Sequence, residues 1–258
     1  MKKLIVLVMI LALTCGLLSS CIGGAEPTAE ALVSNAEEAL AEAPYTLTMK
    51  MNFACDNEEV NEILSAMNME IPVTVDGKNL AMDIEMSMMG ESVSATATVV
   101  DMVMYYDINV AGQSIKMKAT MNEEQYNEFM AEQGVMNMMV KPEDFGSLTV
   151  EKKDGKNHIA CGAITAEGLE KINGVVAGSL GEDGATAEFD NIAYEIVLND
   201  GKYESMVLDC DYSVTVGGVT CNIDFSISAE YTYEGVAKVV APADAASYTE
   251  MDFDEIMG

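Results

Sequence analysis

Between Leu80 and Met121 the chain alternates apolar and polar residues, and the alternation keeps its phase through three successive turns. Strand side chains change face with every residue, so a one-residue slip at any turn would throw the later apolar set onto the wrong side. A two-residue hairpin turn at Gly90-Glu91, glycine first, sets Met88 opposite Val93, Met86 opposite Ala95, Ile84 opposite Ala97 and Met82 opposite Val99. Turns at Asp101-Met102 and Ala111-Gly112 carry that face onward: Val99 meets Met104, Ala97 meets Tyr106, then Tyr106 meets Met117 and Met104 meets Ala119. The stretch reads as a four-stranded antiparallel meander with one buried face.

The same reasoning extends to both sides. Thr28 caps a helix with Leu32, Val33, Ala36, Leu40 and Ala43 at helical spacing, and Pro44 ends it. Period two then takes over from Tyr45 to Cys55, with Leu47, Met49, Met51, Phe53 and Cys55 on one face. Residues 56–68 return to helix, and Ile71, Val73 and Val75 form a short strand ending at Asp76-Gly77. Asn122 with Gln125 has the form of a capping box for a second long helix, and Thr165 caps a third carrying Leu169, Ile172, Val176 and Leu180. Two long hairpins close the chain. A three-residue turn, Asn199-Asp200-Gly201, keeps Ile192, Tyr194, Ile196 and Leu198 on the face of Met206 and Leu208. The Gly217-Gly218 turn sets Val214 against Cys221, Tyr212 against Ile223, Cys210 against Phe225 and Leu208 against Ile227. The acidic tail from Val239 is expected to pin across a sheet edge.

The first 20 residues have another character. Lys2 and Lys3 precede an apolar run from Leu4 to Leu18, too short for the ~20 residues of a spanning helix. Charged start, short apolar middle and small residues describe a secretory signal peptide. Leu18-Ser19-Ser20-Cys21 resembles the bacterial lipobox, which implies that Cys21 carries a diacylglyceryl group and begins the mature chain. The expected organisation is a signal over 1–20, a lipidated cysteine and tether over 21–27, and one domain over 28–258, held as a monomer on the extracytoplasmic face of the cell membrane.

Charge excludes further classes. Forty-three carboxylates face 13 lysines, for a net charge of −30, so no basic surface is available to neutralise nucleic-acid phosphates or hold anionic lipid. Beyond Cys15 and Cys21 four cysteines remain, Cys55, Cys161, Cys210 and Cys221, without a CxxC. Two readings stay open: buried free thiols, or a single disulfide between Cys55 and Cys161. His158 has no partner at metal-site or triad spacing, and no nucleotide-binding or nucleophile-elbow motif occurs. Neither enzyme activity nor a metal or cofactor is expected.

In element order the chain resembles the LolA-like lipoprotein-carrier fold, particularly the lipid-carrying lipoproteins of the LprG and LppX type. The likeness covers roughly residues 26–250. It rests on the lipobox, the capped first helix, the repeated turns Asp76-Gly77-Lys78 and Asp154-Gly155-Lys156, and the closing Pro242-Ala243-Asp244-Ala245 with Tyr248. The chain departs from that pattern at Asp101-Met102, where Asp-Gly is expected, and in its acidity. The resemblance implies an α+β fold: a single strongly curved antiparallel sheet, an open half-barrel of about 11 strands. An N-terminal helix and two or three short helices would cover its concave side, with an apolar ligand held between.

The candidate ligand face comprises Met49, Met51, Phe53, Met82, Ile84, Met86, Met88, Met104, Tyr106, Met117, Met206, Leu208 and Phe225. Methionine gives up more rotamer freedom on burial than leucine for a similar apolar gain, so its advantage is adaptability to variable guests. Against that stands the methionine richness of the whole chain, including the loop around Met136, Met138 and Met139, which also suits a filled core without a pocket. A thioether copper site is disfavoured by the strand-wise alternation of these residues.

Overall fold

One sheet organises the molecule. The computed structural model describes residues 27–65, 68–88, 91–133, 141–172, 186–216 and 219–253. Helix α1 (Ala29–Glu42) leads into β1 (Tyr45–Cys55), then α2 (Glu58–Ser65), β2 (Met69–Asp76), β3 (Asn79–Met88), β4 (Glu91–Val100), β5 (Val103–Val110) and β6 (Gln113–Thr120). Helix α3 (Glu123–Gln133) and a 3₁₀ turn (Pro142–Asp144) precede β7 (Leu148–Lys153) and β8 (Lys156–Cys161). A short helix over 166–172, α4, comes before β9 (Thr186–Asn199), β10 (Lys202–Val216), β11 (Val219–Thr232) and the two-residue β12 (Thr249–Glu250). The strand order is β12-β6-β5-β4-β3-β2-β1-β11-β10-β9-β8-β7, twelve strands against about eleven expected. All pairings are antiparallel except β12 on β6.

The helix caps form as the sequence reads. Ala31 N–H donates to Thr28 Oγ1 at 3.3 Å, and Gly168 N–H to Thr165 Oγ1 at 3.1 Å. Asn122 and Gln125 exchange backbone-to-side-chain bonds of 3.0 and 2.9 Å, a reciprocal capping box. Val33, Ala36 and Leu40 of α1 are buried, with the helix lying against β10 and β7, while α3 adds Tyr126 and Phe129 to the same core. That core lies on one face of the sheet, built from Leu47, Val73, Val99, Met104, Ile196, Met206 and Ala229. The apolar side of an antiparallel sheet is thus covered while its other side meets water.

Registers agree with the sequence at three turns and differ at two. Val99 faces Met104, Tyr106 faces Met117, and Cys210 faces Phe225 as expected. Between β3 and β4, however, Met88 faces Glu91, Met86 faces Val93, Ile84 faces Ala95 and Met82 faces Ala97. Each pairing is moved by two positions; an even shift preserves facing, so alternation alone does not separate the two registers. Between β9 and β10 the turn has two residues rather than three, with Asp200 at φ 49° and Gly201 at φ 75°. The mismatch this creates is absorbed by a β-bulge at Glu204, where Tyr203 faces Leu198 and Ser205 faces Val197.

The tail closes the β6 edge. Met251 N–H donates to Lys118 O at 2.9 Å, and Tyr248 packs edge-on to Tyr105 at 5.4 Å. Lys116 Nζ reaches Asp244 Oδ2 at 2.6 Å and Asp107 Oδ2 at 3.2 Å. Where Thr249 and Glu250 pair with Met117 and Lys118, the edge cannot take a strand from another chain.

The Asp101-Met102 turn has positive φ at both residues, 52° and 63°. This is the hairpin geometry that favours glycine, and a Met side chain there is strained. Met102→Gly is therefore expected to raise unfolding free energy by about 1 kcal/mol, after allowing for the greater freedom of glycine in the unfolded chain. Urea unfolding checks it; a loss of stability would contradict the strain.

Candidate functional site

Four adjacent strands in the middle of the sheet, β1, β11, β10 and β9, bring aromatic residues together on the covered face. Phe53 and Phe225 lie directly opposite one another, ring centroids 4.6 Å apart. Cys210 follows on β10, facing Phe225 on one side and Ile192 on the other. Tyr212 and Phe189 form the next pair, centroids 5.3 Å apart. Met51, Leu208 and Ile172, the last from α4, complete the walls of a cavity of about 80 Å³. No residue of the wall is charged. Burial pushes the Cys210 thiol up to about 12 and raises the Tyr212 phenol, so both stay protonated at neutral pH.

Phe189 enters this group through a bulge. Asn191 faces Asp211, but the next pair is Phe189 with Tyr212, leaving Asp190 unmatched. Strict alternation from Ile192 and Tyr194 would put Phe189 on the solvent side; the extra residue turns it inward. The bulge at Glu204 does the same for Tyr203, which is buried although it is out of phase with Met206 and Leu208.

Tyr203 borders a second, larger cavity of about 350 Å³ beneath the C-terminal half of α1, with Leu40, Tyr45, Tyr194 and Met206. Its wall also includes Glu37 and Lys141, both exposed. Met206 is fixed here, because Tyr231 Oη donates to its Sδ at 3.3 Å. Burial raises the phenols of Tyr194, Tyr203 and Tyr231 well above the ordinary tyrosine range. Met206 and Leu208 are successive residues on one face of β10, so the two cavities are neighbours along that strand.

Asp144 joins the 3₁₀ turn to α4. Its carboxylate accepts from Lys141 N–H at 2.8 Å and pairs with the Lys171 ammonium, while its carbonyl accepts from the N–H and hydroxyl of Thr165, each at 2.8 Å. Burial pushes this carboxyl upward, but the Lys171 ammonium and the Lys141 N–H outweigh it and hold it below the usual range.

The sequence-predicted face is divided among several environments. Met51, Phe53, Leu208 and Phe225 meet at the small cavity, and Met206 lines the larger one. Met49 packs between the two clusters, and Met82, Ile84 and Met104 belong to the main core. Tyr106 and Met117 pair near the β6 edge, away from both cavities, and Met117 borders a shallow hollow beside Thr249 and Met251. The side chains of Met86 and Met88 lie outside the described residues, as do Cys21, the signal, the loop over 136–140, Val176 and Leu180. Each cavity thus takes a single methionine, beside three tyrosines in the larger and four aromatic rings in the smaller.

The four cysteines are free thiols. The alternative bond from Cys55 to Cys161 does not form, because β1 and β8 are separated by three intervening strands. His158 Nδ1 lies 3.0 Å from Glu195 Oε1 on the side of β8 opposite the buried Ile159. Among the described residues no three His, Cys, Asp or Glu converge as a metal site, and no helix is long and apolar enough to cross a membrane.

These features define a single-sheet α+β protein with an aromatic cavity and a larger one beneath its first helix. No protein-family model matches the chain, and no curated protein matches it. Among solved structures, it shows similarity to the ywiB protein from Bacillus subtilis, at 12% identity over 74% of this chain and 92% of that one, with a TM-score of 0.21. A second similarity is to MucB in complex with MucA(peri), at 11% identity over 82% and 97% of the chains, with a TM-score of 0.11. At such scores neither likeness carries fold or function to this chain.

Proposed function

We propose that the chain is an extracytoplasmic lipoprotein, anchored by acylated Cys21, whose sheet curves as a LolA-like half-barrel and takes an apolar ligand such as a lipid acyl chain. The observation that carries this reading is the uncharged cavity between β1, β9, β10 and β11, walled by Phe53, Phe189 and Phe225. A bulge that turns an aromatic residue inward to border a void is not needed to fill a core. The meander order of the strands and the capped first helix support the same fold reading. The protein works as a monomer without metal or cofactor, and no residue is assigned a catalytic role.

Native mass spectrometry of the full chain, extracted from membranes in detergent and then released from it, tests the reading. A stoichiometric apolar adduct beyond the acyl anchor is expected; its absence in repeated preparations would overturn carriage. A short tether, Ile22 to Pro27, keeps the cavity close to the bilayer. A protease site placed in it should, on cleavage, slow lipid exchange with vesicles at unchanged ligand affinity.

One observation favours a second reading, a ligand-free interaction lipoprotein of the same fold. The aromatic cavity holds about 80 Å³, against roughly 300–1,000 Å³ for sites that enclose drug-sized ligands. Carriage therefore requires the cavity to open toward its neighbour under α1, and a chain that never yields an adduct would be assigned to the second class.

A further inference from the structure

The four thiols fall into two kinds. Cys161 and Cys210 are single thiols on β8 and β10, each pushed up to about 12 by burial. Cys55 and Cys221 instead meet at the end of the β1–β11 ladder. Cys55 is the last residue of β1 and faces Ile223; Cys221 is the next residue on that same face of β11. Burial, with the Cys55 thiol nearby, raises the Cys221 thiol, and Cys55 Sγ–H donates to Asp56 Oδ1 at 3.7 Å.

The backbone around the pair is clamped. Asp56 N–H donates to Asn222 O at 3.2 Å, while the Asp56 carboxylate accepts from Asn222 N–H at 3.1 Å and from Asn222 Nδ2 at 2.7 Å. Asn57 N–H donates to Cys55 Sγ at 3.5 Å, and Cys55 N–H to Asn61 Oδ1 at 2.9 Å. Both cysteines are half-buried, within reach of a small reagent. Disulfide geometry is demanding, with Cα atoms within about 7 Å. Cys55 and Cys221 are diagonal neighbours on one face of hydrogen-bonded adjacent strands, so side-chain rotation together with a shift at the strand ends brings them to it.

We propose that Cys55 and Cys221 form a redox site that a low-molecular-weight disulfide converts into an intramolecular bond. One thiolate attacks the oxidant, giving a mixed disulfide and one released thiol; the second displaces the remaining half as another thiol. Two protons and two electrons leave the pair, and the oxidant's S–S bond is reduced to two thiols. The bridge ties the end of β1 to β11 beside Phe53 and Phe225, at the rim of the aromatic cavity. The inference is independent of any ligand.

The test is peptide mapping of the full chain after incubation with oxidised glutathione, with free thiols trapped by alkylation. A linked Cys55–Cys221 peptide is expected, with Cys161 and Cys210 alkylated and the bond reversed by dithiothreitol. Thermal unfolding should move up by several degrees in the oxidised form. Cys221→Ser and Cys55→Ser should each abolish the linked peptide and the shift. Full alkylation of Cys55 and Cys221 under conditions that oxidise a control dithiol peptide, or a bond to any other cysteine, would overturn the proposal, and this mapping of the unmutated chain needs no variant to fold.

Discussion

Asp144→Ala is expected to lower the unfolding free energy by about 3 kcal/mol and to loosen the roof of the aromatic cavity. Asp144 is 4% exposed, and its carboxylate holds two groups that belong to different elements: the Lys141 N–H before the 3₁₀ turn and the Lys171 ammonium on α4. A hydrogen bond to a charged group contributes roughly 1.5–3 kcal/mol, and breaking a buried pair costs 3–5 when the survivor is stranded. Lys171 is 46% exposed and turns to water once its partner is gone, which places the loss at the low end. The consequence for the site comes through α4. Gly168 packs so closely on Asp144 that a Cβ there would lie 2.8 Å from the Asp144 Cβ and carbonyl oxygen, and Ile172 is one turn further on. The pH dependence has a definite sign. A carboxyl held below its unfolded value of about 3.9 contributes its full stability above that pH and loses it as pH falls through the depressed folded value. Urea unfolding of wild type and Asp144→Ala should differ fully at pH 7 and converge below about pH 4; a constant difference across that range would mean that the charge is not what holds the contact.

Most of the sheet was legible because facing is a strong constraint. Leu47, Val73, Val99, Met104 and Ala119 all lie on the buried face that alternation assigns to them. Alternation has two blind spots, and both occur here. It cannot detect an even shift, so the β3–β4 pairing differs by two positions from the one that alternation suggests while Met82 and Ile84 keep their face. Nor can it locate a bulge: it called for a three-residue turn after Leu198 where the chain uses two residues and bulges at Glu204. The second bulge hid part of the site. Phe189 reads as outward until Asp190 is known to be unmatched, whereas Cys210, Tyr212 and Ile192 were already in phase with Leu208 and Phe225. Methionine misled for a different reason. Abundance along a buried face says that the face is covered, not by what, and Met82 and Met104 are covered by ordinary packing.

Phe225→Ala is expected to cost about 3 kcal/mol, near the low end of the 3–5 typical for removing a buried aromatic ring. Phe225 is 7% exposed, facing Phe53 on one strand and Cys210 on the other, but part of its ring borders the cavity and has fewer atoms to lose contact with. Phe53 is less buried, and its removal should cost about half as much. Because the two rings touch, the double variant should fall short of additivity by about 1 kcal/mol, the usual worth of an aromatic pair beyond its area. Stability alone does not separate a ligand site from a core, since both readings predict that loss. Phe225→Trp does separate them. The larger ring adds volume where a void of about 80 Å³ exists, so the fold should keep most of its stability, losing at most 1–3 kcal/mol to strain. If an apolar guest occupies that void, Phe225→Trp excludes it, and native mass spectra should lose the adduct that wild type retains. Equal adduct in both proteins would move the ligand out of the aromatic cavity and leave the larger cavity under α1 as the place to look.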